Sequence, residues 1–113
     1  MNDQCAPCAD RGLAEKAFLS GNSSEICKML VSIAFYDSDW NWVQDRCLEF
    51  LASPVPEVRG VAATCLGHIA RIHHCLDRNK VLSALDKHSG DASIAGQISD
   101  ALDDIAMFVP ENS

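Results

Sequence analysis

Pro54-Val55-Pro56-Glu57-Val58-Arg59-Gly60-Val61-Ala62-Ala63-Thr64-Cys65-Leu66-Gly67-His68-Ile69-Ala70-Arg71-Ile72 reads as a proline-led amphipathic helix. Pro56 suits a first helical position, where its missing N–H forfeits no bond. The core of the stretch, Leu66-x-x-Ile69-Ala70, recurs 36 residues earlier as Leu30-x-x-Ile33-Ala34 and 36 residues later as Leu102-x-x-Ile105-Ala106. A helical motif returning at a fixed period of that length marks stacked helical units.

Upstream, Leu13, Ala14, Ala17 and Phe18 predict a short helix over 10–20, broken by Gly21-Asn22. Asn22 and Glu25 form a capping-box-like pair opening a helix to about Phe35, with Ile26, Met29, Leu30, Ile33 and Ala34 inward. Asp37-Ser38-Asp39 is a turn able to cap the next helix, which carries Trp40, Trp42, Val43, Cys47, Leu48, Phe50 and Leu51. The central helix is expected to run to about Cys75. Downstream, Asp77 caps a helix with Val81, Leu82 and Leu85 inward, and Gly90 ends it. Asp91 caps the last helix, with Ile94, Ile98, Ala101, Leu102, Ile105 and Phe108 as its apolar set.

No segment alternates with period two for long enough to be a strand. The fold class predicted is all-α, six helices in three antiparallel hairpins. The domain occupies 10–109, between a flexible N-terminus at 1–9 and a tail at 110–113. Such hairpins cannot bury their apolar faces alone and must stack. Gly60 and Gly96 weaken their helices by roughly 1 kcal/mol each relative to Ala. Close backbone approach between neighbouring helices is the expected compensation.

The chain has 113 residues, enough for one modest core, and a net charge of −7. That field repels nucleic acid and acidic membrane surfaces and steers basic partners inward. The start, Met1-Asn2-Asp3-Gln4-Cys5, has no basic n-region and no apolar run. A cytoplasmic, non-membrane protein is expected. Of six cysteines, Cys27, Cys47, Cys65 and Cys75 are predicted within helices as reduced thiols, acting as small hydrophobes. Cys5-Ala6-Pro7-Cys8 is a CxxC without a second ligand pair at zinc spacing. No metal or cofactor is predicted, and His68, His73, His74 and His88 lack a nucleophile or partner ligand at motif spacing. With HExxH, P-loop and GxGxxG absent, no catalytic residue is assigned and a non-enzyme is expected.

Helical geometry then sorts the second helix of each hairpin. With Leu66, Ile69 and Ala70 inward, Thr64, Gly67, His68 and Arg71 face out. Their equivalents are Lys28, Val31, Ser32 and Phe35 in the first hairpin and Asp100, Asp103, Asp104 and Met107 in the last. The three aspartates either pair with Arg71 or Arg59, or are simply solvated, or form an acidic ridge for a cationic partner. Trp40 and Trp42, two apart, cannot both face one core, so one is expected to pack and the other to be partly exposed beside Asp37 and Asp39.

Leu48-x-x-Leu51, Pro54-x-Pro56-Glu57-Val58-Arg59, Ala62-Ala63 and Leu66-Gly67-x-Ile69-Ala70 resemble a HEAT or armadillo-like repeat. The last hairpin matches more weakly, with Ala95 at the arginine position and Asp103 in place of Gly67. The resemblance covers roughly residues 12 to 108 and implies an α-solenoid. The stretches Asp39-Trp40-Asn41-Trp42, Gly67 to His73 and Asp100 to Ile105 are similar to small immunity proteins of bacterial contact-dependent inhibition and polymorphic toxin systems. That resemblance implies a protein that neutralises a cognate toxin domain, and the outward helix face together with the Trp-bearing turn nominates Asp37, Asp39, Trp40, Trp42, His68, Arg71, Asp100, Asp103 and Asp104 as its contacts. The toxin would be basic and nuclease-type, and the chain would be a monomer when free and a heterodimer with the toxin. A generic HEAT adaptor or regulatory subunit is the alternative.

Overall fold

The computed structural model describes residues 11–110. The expectations for 1–9, including Cys5 and Cys8, and for 111–113 lie outside them. Among the described residues there are six α-helices and no strand: α1 (Arg11–Ser20), α2 (Ser23–Tyr36), α3 (Trp40–Phe50), α4 (Pro56–His73), α5 (Arg78–Lys87) and α6 (Ala95–Phe108).

Local chemistry fixes most of the boundaries. Asn22 Oδ1 accepts from the Glu25 N–H, Asp39 Oδ1 from the Trp42 N–H, and Asp77 Oδ1 from the Lys80 N–H. Each satisfies a donor that a helix start leaves orphaned. Only half of the expected capping box forms, because the Asn22 N–H goes to Ser20 Oγ at 3.1 Å. Gly21, at φ 74°, takes the left-handed conformation that lets the chain turn from α1 into α2. At α4, Val55 has no capping side chain and Pro56 stands in the first turn. Ser53 and Arg59 compensate: Ser53 Oγ accepts from the Val55 N–H, and Arg59 Nη1 donates to the Ser53 carbonyl at 2.9 Å.

Two boundaries differ from expectation. α4 stops at His73, and His74 turns left-handed at φ 53°. Cys75 therefore lies exposed in the following loop and not within a helix. Asp91 caps a short 3-10 turn, Ala92–Ile94, and α6 begins only after it.

The central helix organises the packing. Half of its 18 residues are buried, namely Val58, Gly60, Ala62, Ala63, Cys65, Leu66, Gly67, Ile69 and Ala70. It packs against α2 on one flank, α6 on the other, and α3. Cys27 approaches the Glu57 carbonyl and the Phe35 ring packs at a tilt against His68, so α2 and α4 run parallel. Gly60 lies against Gln97 and Gly67 against Asp104, both 37 residues apart, so α4 and α6 run parallel too. A second row is tied by side chains: Phe18 meets Phe50 at 5.0 Å, Glu15 pairs with Arg46, and Asp45 with Lys80. The smallest dimension, 18 Å, is about two helix diameters.

The core is aliphatic, with Leu30, Ile33, Leu51, Leu66, Ile69, Leu85, Ile94 and Ile105 essentially closed to solvent. Each such side chain contributes about 1.5–3 kcal/mol by burial. Gln44 is buried among them, its Oε1 accepting the Asp77 N–H at 2.7 Å while its Nε2 has no partner. Cys47 and Cys65 are also fully buried, and the four described cysteines are free thiols. The neighbouring Cys65 sulfur and complete burial hold the Cys47 thiol well above its ordinary range, so it stays protonated.

The expected equivalence of the three repeats fails at α6. Ile98, Ala101 and Ile105 face the core, whereas Leu102 is 39% exposed and Ala106 is exposed. The glycine expectation also needs correction. A Cβ on Gly96 would meet nothing within 4 Å, and the nearest atoms to one on Gly60 belong to the Gln97 side chain, not to backbone. The close approach is at Gly67, where a Cβ would lie 3.2 Å from the Ala101 Cα and 2.8 Å from Asp104 Oδ2. Gly67, placed outward by the sequence pattern, is buried under α6.

Candidate partner-binding surface

The sequence-predicted residues fall into two groups. The first is the turn between α2 and α3. Arg11, at the start of α1, donates from Nε to Asp37 Oδ2 at 3.2 Å and from Nη2 to Asp39 Oδ2 at 3.0 Å. Its guanidinium also lies 4.2 Å from the centre of the Trp42 ring, a cation–π contact. Asp37 Oδ1 accepts the Asp39 N–H as well. The Arg11 hydrogen bond is the main cause that holds the Asp39 carboxyl below its usual range, with the Trp42 N–H assisting. Trp40 and Trp42 are both half-buried against the core, so the expectation of one packed and one exposed ring is not met. This turn is therefore a closed set of internal partners.

The second group lies across α2, α4 and α6. The Phe35 ring sits 4.7 Å from the His68 ring. His68 Nδ1 accepts from Arg71 Nη2 at 3.0 Å, which requires the neutral imidazole with its proton on Nε2. Burial is the main cause that lowers the His68 pKa below 6.5, Arg71 adds to it, and Asp104 opposes it. Asp104 itself stands over Gly67. Phe35, His68 and Asp104 thus form one row across three parallel helices. Arg71 and Met107 follow one turn further along α4 and α6, on the same face.

The expected pairing of the aspartates with arginine is not what forms. Arg59 Nε donates to Asp91 Oδ2 at 3.0 Å and Arg59 Nη2 to Ser93 Oγ. Among the described residues no ion pair links Asp100, Asp103 or Asp104 to a cation. Large apolar side chains are exposed at the ends of the two flanking helices: Phe35 at 42% and Tyr36 at 54% close α2, and Met107 at 71% lies one turn beyond Asp104 on α6. The sequence pattern had placed Phe35 and Met107 outward without giving them a role, and it gave Tyr36 none. Arg11 left no signal at all, because its partners lie 26 and 28 residues away in the chain.

Neither group resembles a metal or catalytic centre in geometry, and no set of three or more metal-ligating side chains converges among the described residues. A cavity of about 310 Å³ sits between α1 and α2, lined by Leu13, Lys16, Ala17, Ser20, Glu25 and Met29, away from both groups. No described helix is long and apolar enough to cross a membrane.

The described residues define a small all-helical protein that presents a mixed aromatic and acidic face on three parallel helices. Among solved structures the chain is similar to one in the crystal structure of a CDI complex from Cupriavidus taiwanensis LMG 19424, with a TM-score of 0.82 and 33% sequence identity. The match covers 96% of this chain and 97% of that one. The protein belongs to the family of that CDI-complex chain. No protein-family model matches the chain, and a search of curated proteins returns no match.

Proposed function

We propose that this protein is an immunity protein of a contact-dependent inhibition system, a non-enzymatic binder that neutralises a cognate toxin domain by covering its active site. The observation that carries this reading is the 33% identity, over nearly the full length of both chains, to a member of a CDI complex. The architecture is a HEAT-like stack of three helical hairpins, a reading supported by the parallel run of α2, α4 and α6 and by the 36-residue sequence period. The toxin is basic and of nuclease type. The net charge of −7 and three aspartates without a cationic partner among the described residues would occupy cations that otherwise hold phosphate. Complementary fields also raise the association rate, which suits a cytoplasmic protein that must capture a toxin before it meets nucleic acid. The candidate contact residues are Asp37, Asp39, Trp40, Trp42, His68, Arg71, Asp100, Asp103 and Asp104, which fall on two separate surfaces, the α2–α3 turn and the α4–α6 face. The free chain is a monomer and the complex a heterodimer.

The test is co-expression with the C-terminal toxin domain of the large secreted protein that this reading predicts in the neighbouring reading frame. Growth should be restored, and the purified pair should form a one-to-one complex in which the toxin no longer degrades nucleic acid. Toxicity unrelieved by this chain would overturn the reading. Charge reversal of Asp100, Asp103 and Asp104 together should weaken the complex most at low salt.

A further inference from the structure

We infer that the toxin docks on the Phe35–His68–Asp104 row and not on the Trp-bearing turn, and that it lays a cationic side chain against the Phe35–His68 pair and the α6 carboxylates. This rests on the immunity reading above and names the surface and the chemistry of its partner.

The argument is one of satisfaction. At the turn, Asp37 and Asp39 already share one guanidinium, Asp39 caps α3, and the Trp42 face is covered by Arg11. A partner would have to displace those bonds before gaining its own. Across α2, α4 and α6 the opposite holds. Phe35, Tyr36 and Met107 are large and uncovered, and Asp100, Asp103 and Asp104 have no cation among the described residues. The Phe35 and His68 rings are already in tilted contact at 4.7 Å, so two anchors are held in place before a partner arrives. Preorganised aromatic side chains, with arginine and methionine beside them, are the composition of an interface centre. The acidic edge selects the occupant. An apolar partner surface would strand the carboxylates without water or a counter-charge, whereas a lysine or arginine would satisfy them and rest its stem or plane on the exposed aromatic rings. Three helices spaced about 9 Å apart give a face nearly 30 Å wide, enough for the ~800 Å² per partner of a stable complex.

Titration calorimetry of the purified toxin domain against variants of this chain tests the assignment, with thermal melts confirming each fold. Tyr36→Ala and Phe35→Ala should each weaken binding by about 30-fold, the equivalent of about 2 kcal/mol. Asp104→Asn should weaken it about tenfold at low salt and flatten its salt dependence. Ser38→Arg and Asn41→Arg place a bulky charge on exposed positions of the turn, and should change binding less than threefold. Met107→Arg, fully on the surface, serves if Phe35→Ala does not fold, and should weaken binding at least tenfold. Binding that survives Tyr36→Ala and Met107→Arg within threefold overturns the assignment, as does loss of binding in Ser38→Arg or Asn41→Arg alone. A free chain that sediments as a dimer broken by Tyr36→Ala assigns this face to self-association and overturns the toxin commitment. Failure of the wild-type chain to bind the toxin at all removes the immunity reading itself.

Discussion

Gly60, Gly67 and Gly96 each sit in a helix, and the structure predicts that alanine destabilises at Gly67 but not at Gly60 or Gly96. Alanine gains up to about 1 kcal/mol over glycine in a helix interior, through backbone entropy and shielding of the peptide. At Gly96 nothing lies within 4 Å of a new Cβ, so Gly96→Ala should stabilise, by somewhat less than that because the site is in the first turn of α6. At Gly60 the new methyl meets Gln97 Nε2 at 3.2 Å, the far end of an exposed side chain that can swing away. Gly60→Ala should be neutral to stabilising. At Gly67 the methyl would lie 3.2 Å from the Ala101 Cα, so α6 backbone must move, and 2.8 Å from Asp104 Oδ2. Overpacking of this kind costs about 1–3 kcal/mol, which exceeds the propensity gain. Gly67→Ala should therefore destabilise by about 1–2 kcal/mol, and Gly67→Val by at least about 3 kcal/mol, since branching also removes the propensity gain. Urea unfolding in reducing buffer, followed by the fluorescence of Trp40 and Trp42, reads all four variants. A Gly67→Ala protein as stable as the wild type would refute the close parallel contact of α4 and α6, and a Gly96→Ala protein less stable would refute the open surroundings of Gly96.

Three further outcomes follow from particular contacts. Gln44→Ala should cost about 2–4 kcal/mol, through a cavity and the loss of the acceptor for the Asp77 N–H. Gln44→Met, which keeps the volume and removes the unpartnered Nε2, should cost clearly less, and equal losses in the two denaturation curves would contradict the buried-acceptor role. His68 lies below its ordinary value of 6.5, so the unfolded chain takes the proton first as pH falls through that value. Its contribution to stability is complete above 6.5 and lost as pH drops toward the lowered folded pKa. Unfolding free energies measured across that window should slope less steeply in His68→Asn than in the wild type, and identical slopes would be the contrary result. Arg11→Gln should let the Asp39 carboxyl rise toward its ordinary value, visible in a carboxyl carbon NMR titration, and an unmoved titration would mean that Arg11 is not its main partner.

Much of the helical order is legible in the chain because its signals are local. Asn22, Asp39 and Asp77 announce helix starts within three residues of the amides they cap. The repeated Leu-x-x-Ile-Ala likewise reports a face that local geometry can compute. What escaped depends on neighbours. Leu66 and Leu102 occupy the same place in the repeat, yet Leu66 lies between two flanking helices whereas Leu102 is 39% exposed on the last helix of the chain. Gly67 appeared outward because helical phase says nothing about how closely the next helix approaches. Of the candidate site, His68, Arg71 and Asp104 were named from the outward face of the repeat, and the structure brings them together. Asp37 and Asp39 were named for their charge, which Arg11 engages from another helix. No local pattern in the sequence carries that pairing.

The position of α4 has a consequence for the order in which the protein is made. Helices α2, α3 and α6 all pack on a segment that begins at Pro56, near the middle of the chain. Translation is vectorial, so α2 and α3 emerge with their main apolar partner still unsynthesised, whereas α1 packs mainly on α2. At about 5–20 residues per second, the 18 residues of α4 take roughly one to four seconds to appear. Throughout that interval the Leu30 and Ile33 face of α2 lacks the surface that will close it. The central helix is thus also a clock: cooperative structure waits for residue 73 and then spreads to both flanks.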